Sequence, residues 1–247
     1  MKYKVIILNF LILIPTLGFA EQISKIFEAD KIKKIEVSNG SGKVNIVATK
    51  EKQATVVADK IRTSEKCQII IDLKGDLLIT KTESERGDCE INFSIIAPGI
   101  AQVDVEIGSG DLDVSNMQGA TAFKTGSGDI NINNSGKRVS GKTGSGDISI
   151  NGVLTSGDIS TGSGDIKINF PALPEKGELE VRTGSGDAIL SFPEGSSIET
   201  SLKSGSGGIH NEIGDSDNGK LKISMKSGSG DIKIKNLKKQ VQYFGLK

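Results

Sequence analysis

The stretch Gly126-Ser127-Gly128-Asp129-Ile130-Asn131-Ile132 decides how this chain is read, because the chain keeps returning to it. The same opening recurs at Gly144 and Gly162. Variants begin at Gly108 (Asp111-Leu112), Gly184 (Asp187-Ala188), Gly205 (Gly208-Ile209) and Gly228 (Asp231-Ile232). An outlying copy, Gly40-Ser41-Gly42-Lys43-Val44, lies far upstream. Successive starts from Gly108 are 18, 18, 18, 22, 21 and 23 residues apart, and a near-fixed period in this range marks a repeat or solenoid.

Each unit has a physical reading. After Gly-Ser-Gly comes an alternating run such as Ile166-Lys167-Ile168, apolar on one face and polar on the other, which is the period of a half-buried strand. A second alternating run, such as Leu179-Glu180-Val181-Arg182-Thr183, leads into the next Gly-Ser-Gly. Two short strands and two turns make one coil, and stacked coils share a core that none could bury alone. Glycine suits the turns because it accepts positive φ. The longer repeats place their extra residues, Phe170 to Lys176 and Gly214 to Gly219, at turns rather than in strands. Eight copies at about 4.8 Å per coil predict a rod roughly 40 Å long. Its inner rows should include Ile130, Ile132, Ile148, Ile150, Ile166, Ile168, Ile232 and Ile234.

Residues 1–20 read as a secretory signal peptide. Lys2 and Lys4 precede the apolar run Val5 to Ile14, and small residues close the segment at Gly18-Phe19-Ala20. The apolar run is too short to span a bilayer, and no later stretch is long enough, so no membrane span is expected after the signal is removed. The full chain has 31 basic and 31 acidic side chains; two lysines leave with the leader, giving 29 against 31. That balance argues against a nucleic-acid partner, which calls for a basic stripe. Tryptophan is absent and aromatic residues make up 4%, which weakens any reading based on sugar or base stacking.

Residues 21–106 form an N-terminal β region and residues 107–247 a repetitive solenoid with a C-terminal cap. Gln22 to Ile32 is compatible with a helical turn or a first strand. Ile35-Glu36-Val37, Val44-Asn45-Ile46 and Ala54 to Ala58 look like an early coil. Between Cys67 and Ala97 the grammar changes to an antiparallel meander: Gln68 to Leu73, a turn at Lys74-Gly75-Asp76, Leu77 to Thr82, then Glu90 to Ile96. Cys67 and Cys89, the only cysteines, bracket it and predict a disulfide in an exported chain.

Asp111, Asp129, Asp147, Asp165, Asp187 and Asp231 occupy one repeat position, so stacking should place them in a column about 4.8 Å apart. Calcium-binding β-rolls also repeat glycine and aspartate, with the unit G-G-x-G-x-D-x-U-x. Here Asp follows the second glycine directly, and only Ser156-Gly157-Asp158 resembles a facing loop. Turn capping by Asp is therefore preferred, with calcium left open. Lys124, Lys142, Arg182, Lys203 and Lys226 each lie five residues before that position and could form a neutralising column. The single histidine, His210, should point outward without a catalytic partner. Neither a nucleophile elbow nor a phosphate loop is visible, so no catalytic, cofactor-binding or metal residue is assigned and no cofactor is expected.

The Thr/Ser-Gly-Ser-Gly-Asp-Ile series, Val37-Ser38-Asn39-Gly40-Ser41-Gly42, and the step from Ile96-Ala97-Pro98-Gly99 into Val103-Asp104-Val105 together resemble a bacterial family. It is the DUF4097 β-strand-repeat family, grouped as "putative adhesins" and akin to head-GIN and toast-rack domains. The likeness runs from about Lys34 to Lys235 and implies a β-solenoid in an envelope or surface setting. It supplies no catalytic residues, and Lys43 and Gly208 depart from its aspartate position.

The expected fold is all-β: a single-chain β-solenoid (β-helix) of ~18–23-residue coils with an N-terminal antiparallel meander. The expected role is that of an exported, non-enzymatic adhesin-like binding or structural module, in the periplasm or at the cell surface. Its partner would be an envelope polymer, another protein or a copy of itself. The alternatives are an extracytoplasmic stress-sensing domain that binds a partner, and a polysaccharide-active β-helix enzyme.

Overall fold

A computed structural model of the chain describes residues 21–84, 89–136 and 138–237; the predicted signal peptide at 1–20 lies outside them. The N-terminal strands are β1 (Gln22–Glu28), β2 (Lys34–Ser41), β3 (Val44–Thr49), β4 (Gln53–Thr63), β5 (Gln68–Lys74), β6 (Leu77–Glu83) and β7 (Cys89–Pro98). The repeats follow as β8 (Gln102–Ser109), β9 (Leu112–Ser115), β10 (Thr121–Ser127), β11 (Ile130–Ser135), β12 (Arg138–Ser145), β13 (Ile148–Gly152), β14 (Ser156–Ser163) and β15 (Ile166–Asn169). The last coils are β16 (Gly177–Ser185), β17 (Ala188–Phe192), β18 (Ile198–Ser206), β19 (Ile209–Asn211), β20 (Leu221–Ser229) and β21 (Ile232–Asn236).

Pairing arranges these strands as two faces of a parallel β-solenoid. The first face runs β5-β6-β2-β8-β10-β12-β14-β16-β20-β18. The second runs β1-β4-β7-β3-β9-β11-β13-β15-β17-β21-β19. Apolar side chains alternate into the space between. All eight isoleucines expected in the inner rows, from Ile130 to Ile234, are at most 1% exposed. Each buried side chain of this size is worth about 1.5–3 kcal/mol against exposure.

The stack does not follow chain order at either end. The β2–β3 coil lies between β6–β7 and β8–β9, and the last coil, β20–β21, lies inside β18–β19. The side chains explain the second exchange. The β20–β21 coil points Leu221, Ile223, Met225, Ile232 and Ile234 inward, all buried. In β18–β19 the positions paired with Ile223, Ser227 and Ile234 are Thr200, Ser204 and Asn211, and Ile209 is half exposed. The coil with polar inward positions takes the end, where it needs only one good neighbour.

The antiparallel strands expected at the N-terminus are present but divided between the faces. β5 and β6 form a hairpin around Gly75, which has φ of 65°. β7 joins the other face, antiparallel to β4 and parallel to β3, so β6 and β7 together make a coil. Gln22–Glu28 is a strand paired with β4, followed by a 3-10 turn at Ala29–Lys31. Lys25 Nζ donates to the Ile71 carbonyl at 2.6 Å, tying β1 to β5 across the end. The insertion after β15 is less polar than its sequence suggests: Phe170 is buried and stacks on Phe192 with ring centroids 4.6 Å apart.

Candidate functional site

The Gly-Ser-Gly-Asp turns form one edge of the rod, and two close approaches explain their glycines. At Gly146 φ is 141°, and a Cβ would lie 2.1 Å from the Gly128 carbonyl oxygen of the neighbouring coil. At Gly144 a Cβ would lie 2.6 Å from Gly126 O. In most copies the residue before the phrase is a buried Thr or Ser that holds the turn from inside. Thr143 donates its hydroxyl to Ser145 O at 3.1 Å, and Thr183 donates to Gly164 O at 3.0 Å. In the upstream copy Asn39 fills this position and donates to Ile91 O at 2.9 Å.

The predicted aspartate column exists, but its partners differ from those expected. Each carboxylate accepts the backbone N–H of the residue at the same position in the next coil. Asp129 N–H reaches Asp111 Oδ1 at 3.0 Å, and Asp147 reaches Asp129 at 2.9 Å. The series continues through Asp165, Asp187 and Asp231 at 2.8–2.9 Å. It ends where Gly208 N–H meets Asp231 Oδ1 at 2.9 Å. The aspartates therefore join coils instead of capping their own turns. Gly208 departs from the pattern because its coil is outermost and no further amide needs an acceptor. Nearer the other end Lys43 N–H donates to Asn92 Oδ1 at 2.8 Å, so a neutral amide oxygen serves as well.

The lysine and arginine column does not neutralise these aspartates. It lies on the first face, within reach of carboxylates on that face. Lys124 pairs with Glu106 at 2.6 Å, Arg182 with Asp158 at 2.8 Å and with Glu180, and Lys226 with Glu180 at 3.6 Å. Asp158 is thus a strand residue and not part of a facing loop. The cations that do reach the column come from the second face. Lys167 meets Asp165 at 3.3 Å, and Lys233 meets Asp187 at 3.3 Å and Asp231 at 2.8 Å. The Asp187 amide, and then Lys167, hold the Asp165 carboxyl below its ordinary range. Lys233, followed by the Gly208 amide, does the same for Asp231. Among the described residues no ion pair joins Asp111, Asp129 or Asp147 to a cation, and no group of three His, Cys, Asp or Glu side chains is placed to hold a metal.

Cys67 and Cys89 are bonded, with Cα atoms 5.2 Å apart, and connect the start of β5 to the start of β7. His210 is exposed on β19, 3.6 Å from Glu212. Sequence reasoning missed a groove of about 1150 Å³ at the N-terminal end, beside the ends of β3, β7 and β9. Ala48, Pro98 and the 78%-exposed Ile100 line it, with Lys50, Glu51 and Asp30 among its polar residues.

The two outer faces differ in chemistry. On the first, the outward row through Glu106, Lys124, Lys142, Ser160, Arg182, Lys226 and Lys203 is mostly charged. On the second, the corresponding row reads Val47, Ser115, Asn133, Asn151, Asn169, Ser191 and Lys235, uncharged until its last rung. Beside it run Asp113, Asn131, Ser149 and Lys167. None of the asparagines at 131, 133, 151 and 169 makes a side-chain hydrogen bond to the protein among the described residues, whereas Asn134 donates to Asn116 at 3.0 Å at the adjoining turn.

No curated protein matches the chain. Solved structures that resemble it include a "putative adhesin" from Bacteroides fragilis, at 13% identity and a TM-score of 0.53, covering 88% of this chain and 97% of that one. A "putative cell adhesion protein" from Clostridium sporogenes shows 12% identity and a TM-score of 0.41, covering 88% and 100%. A "putative adhesin" from Parabacteroides distasonis shows 14% identity and a TM-score of 0.40, covering 87% and 98%. The first of these supports a shared fold. The family model for Toastrack DUF4097 matches residues 18–238, a span that includes every described residue, and the chain therefore belongs to the Toastrack DUF4097 family.

Proposed function

We propose that this is an exported, non-enzymatic binding module of a bacterial envelope that engages its partner through the long outer faces of the rod. The observation that carries this reading is the repetition of outward side chains in register along both faces. Repeated weak contacts on a rigid array add up to avidity without a deep pocket. The disulfide supports an oxidising compartment outside the cytoplasm, and the adhesion-related descriptions of structural relatives point the same way. The ends are poorer candidates for contact. Antiparallel strands cover one, and at the other Asp215 Oδ1 accepts Thr200 N–H at 2.7 Å while Ser216 N–H donates to Ile198 O at 2.9 Å.

The test is sedimentation of the purified mature chain with whole cells, isolated cell wall and membrane fractions. Saturable retention on envelope material is the expected result. Partition wholly to the supernatant in every fraction would reject the proposal, and turnover of a wall polymer would move it to the enzyme class.

A further inference from the structure

We infer that the asparagine-rich second face is the binding surface, and that its ligand is an uncharged, hydroxyl-rich linear polymer such as a neutral glycan. This rests on the binding role proposed above and gives it a face and a ligand chemistry. The patch is the in-register block of Ser115, Asn133, Asn151 and Asn169, flanked by Asn131 and Ser149. Each asparagine amide offers two N–H donors and a carbonyl acceptor, a set that complements the donor and acceptor oxygen of a hydroxyl. Among the described residues none of these four asparagines spends that capacity on the protein. Neighbouring rungs repeat at about 4.8 Å, so one extended chain can be met at several levels at once.

Charge narrows the ligand. The six residues of the block are uncharged, with Asp113 beside its first rung and Lys167 beside its last, whereas the outward row of the first face carries a cation at most levels. The turn edge that borders the block carries Asp111, Asp129 and Asp147 without a paired cation among the described residues. Each of these uses Oδ1 on the next coil's amide, and the column keeps its negative charge beside the patch. A polyanion is repelled along this border, while an uncharged polymer is not. Aromatic rings are missing from the block, so affinity comes from repeated hydrogen bonds and should be weak for short fragments.

The experiment uses the mature chain with insoluble cellulose, curdlan and chitin as neutral probes, heparin-agarose as the polyanion, and cell wall as the reference. Asn133→Asp with Asn151→Asp places charge in the block at nearly unchanged size, and Lys142→Ala alters only the opposite face. A thermal melt of each variant verifies folding, and Asn131→Asp replaces the double variant if that one unfolds. The expected result is retention on at least one neutral glycan that persists in high salt, falls roughly tenfold or more in the Asn→Asp variant, and is unchanged in Lys142→Ala. Retention on cell wall but on none of the neutral probes, or equal retention by the Asn→Asp variant, overturns this inference and leaves the binding role standing. Capture by heparin alone, lost in salt and in Lys142→Ala, overturns it in favour of the first face. Failure to bind every probe overturns this inference, and failure to bind whole cells, cell wall and membrane fractions as well overturns both.

Discussion

At the scale of single residues, the aspartates act as connectors between coils. Their role is hydrogen-bond acceptance, and Asn92 shows that an amide oxygen can supply it. Asp147→Asn should therefore leave the melting temperature nearly unchanged. Asp147→Ala, which strands the Asp165 amide, should cost about 1 kcal/mol. Comparing the two melts separates acceptance from charge. The glycines of the phrase are less forgiving. Gly146→Val forces a β-branched residue into φ of 141° and drives its Cβ into Gly128 O. A loss of at least ~2 kcal/mol is expected. Gly75→Asn is the control, because φ there is 65° and nothing lies within 4 Å of the added Cβ. Asparagine tolerates that region, and a chemical denaturation curve should shift by less than about 0.5 kcal/mol.

At the scale of elements, stability should depend on how the two ends are closed. The disulfide joins β5 to β7 over a separation of 22 residues. In the chain-entropy model it is worth roughly 3 kcal/mol. Thiol labelling of denatured, unreduced protein should find no free cysteine, and Cys67→Ser with Cys89→Ser should lower stability by about that amount. At the opposite end Asp215 is the side chain that restrains β18. Asp215→Ala should speed amide exchange at Thr200 while leaving Ile148, deep in the stack, protected. Equal acceleration at both positions would mean that the coils open together and that the loop is not a local clasp.

At the scale of the whole molecule, the rod is held by buried apolar rows and backbone ladders, with charge in a smaller part. Exposed ion pairs such as Lys124–Glu106 are worth only ~0.2–1 kcal/mol and weaken in salt. Chelation should leave the melting temperature unchanged, since the aspartates are satisfied by amides and lysines; a large drop would make calcium a structural component. Acid should act differently. Asp165 and Asp231 have carboxyl groups held below the ordinary value of 3.8, so their ionised forms stabilise the fold above that value. That contribution is lost as pH falls through the lowered folded values. The melting temperature should hold from neutral pH to about pH 5 and decline below it.

The sequence by itself determined the repeat, the strand periodicity, the buried isoleucine rows, the single edge on which the aspartates fall and the paired cysteines. These are local or periodic properties, and parallel stacking carries any periodic feature into a column. Strand order needed the tertiary structure. Nothing in the spacing of Gly205 and Gly228 shows that the later coil lies inside the earlier one. That outcome comes from competition for burial, in which the coil bearing Thr200, Gly208 and Asn211 is the poorer neighbour. The partner of each aspartate was likewise hidden. Lys124 or Lys142 lies five residues from its aspartate in sequence, yet the nearest donor is the amide one coil away. Register across the stack brings that amide to about 3 Å, while the pleat sends the lysine to the other face.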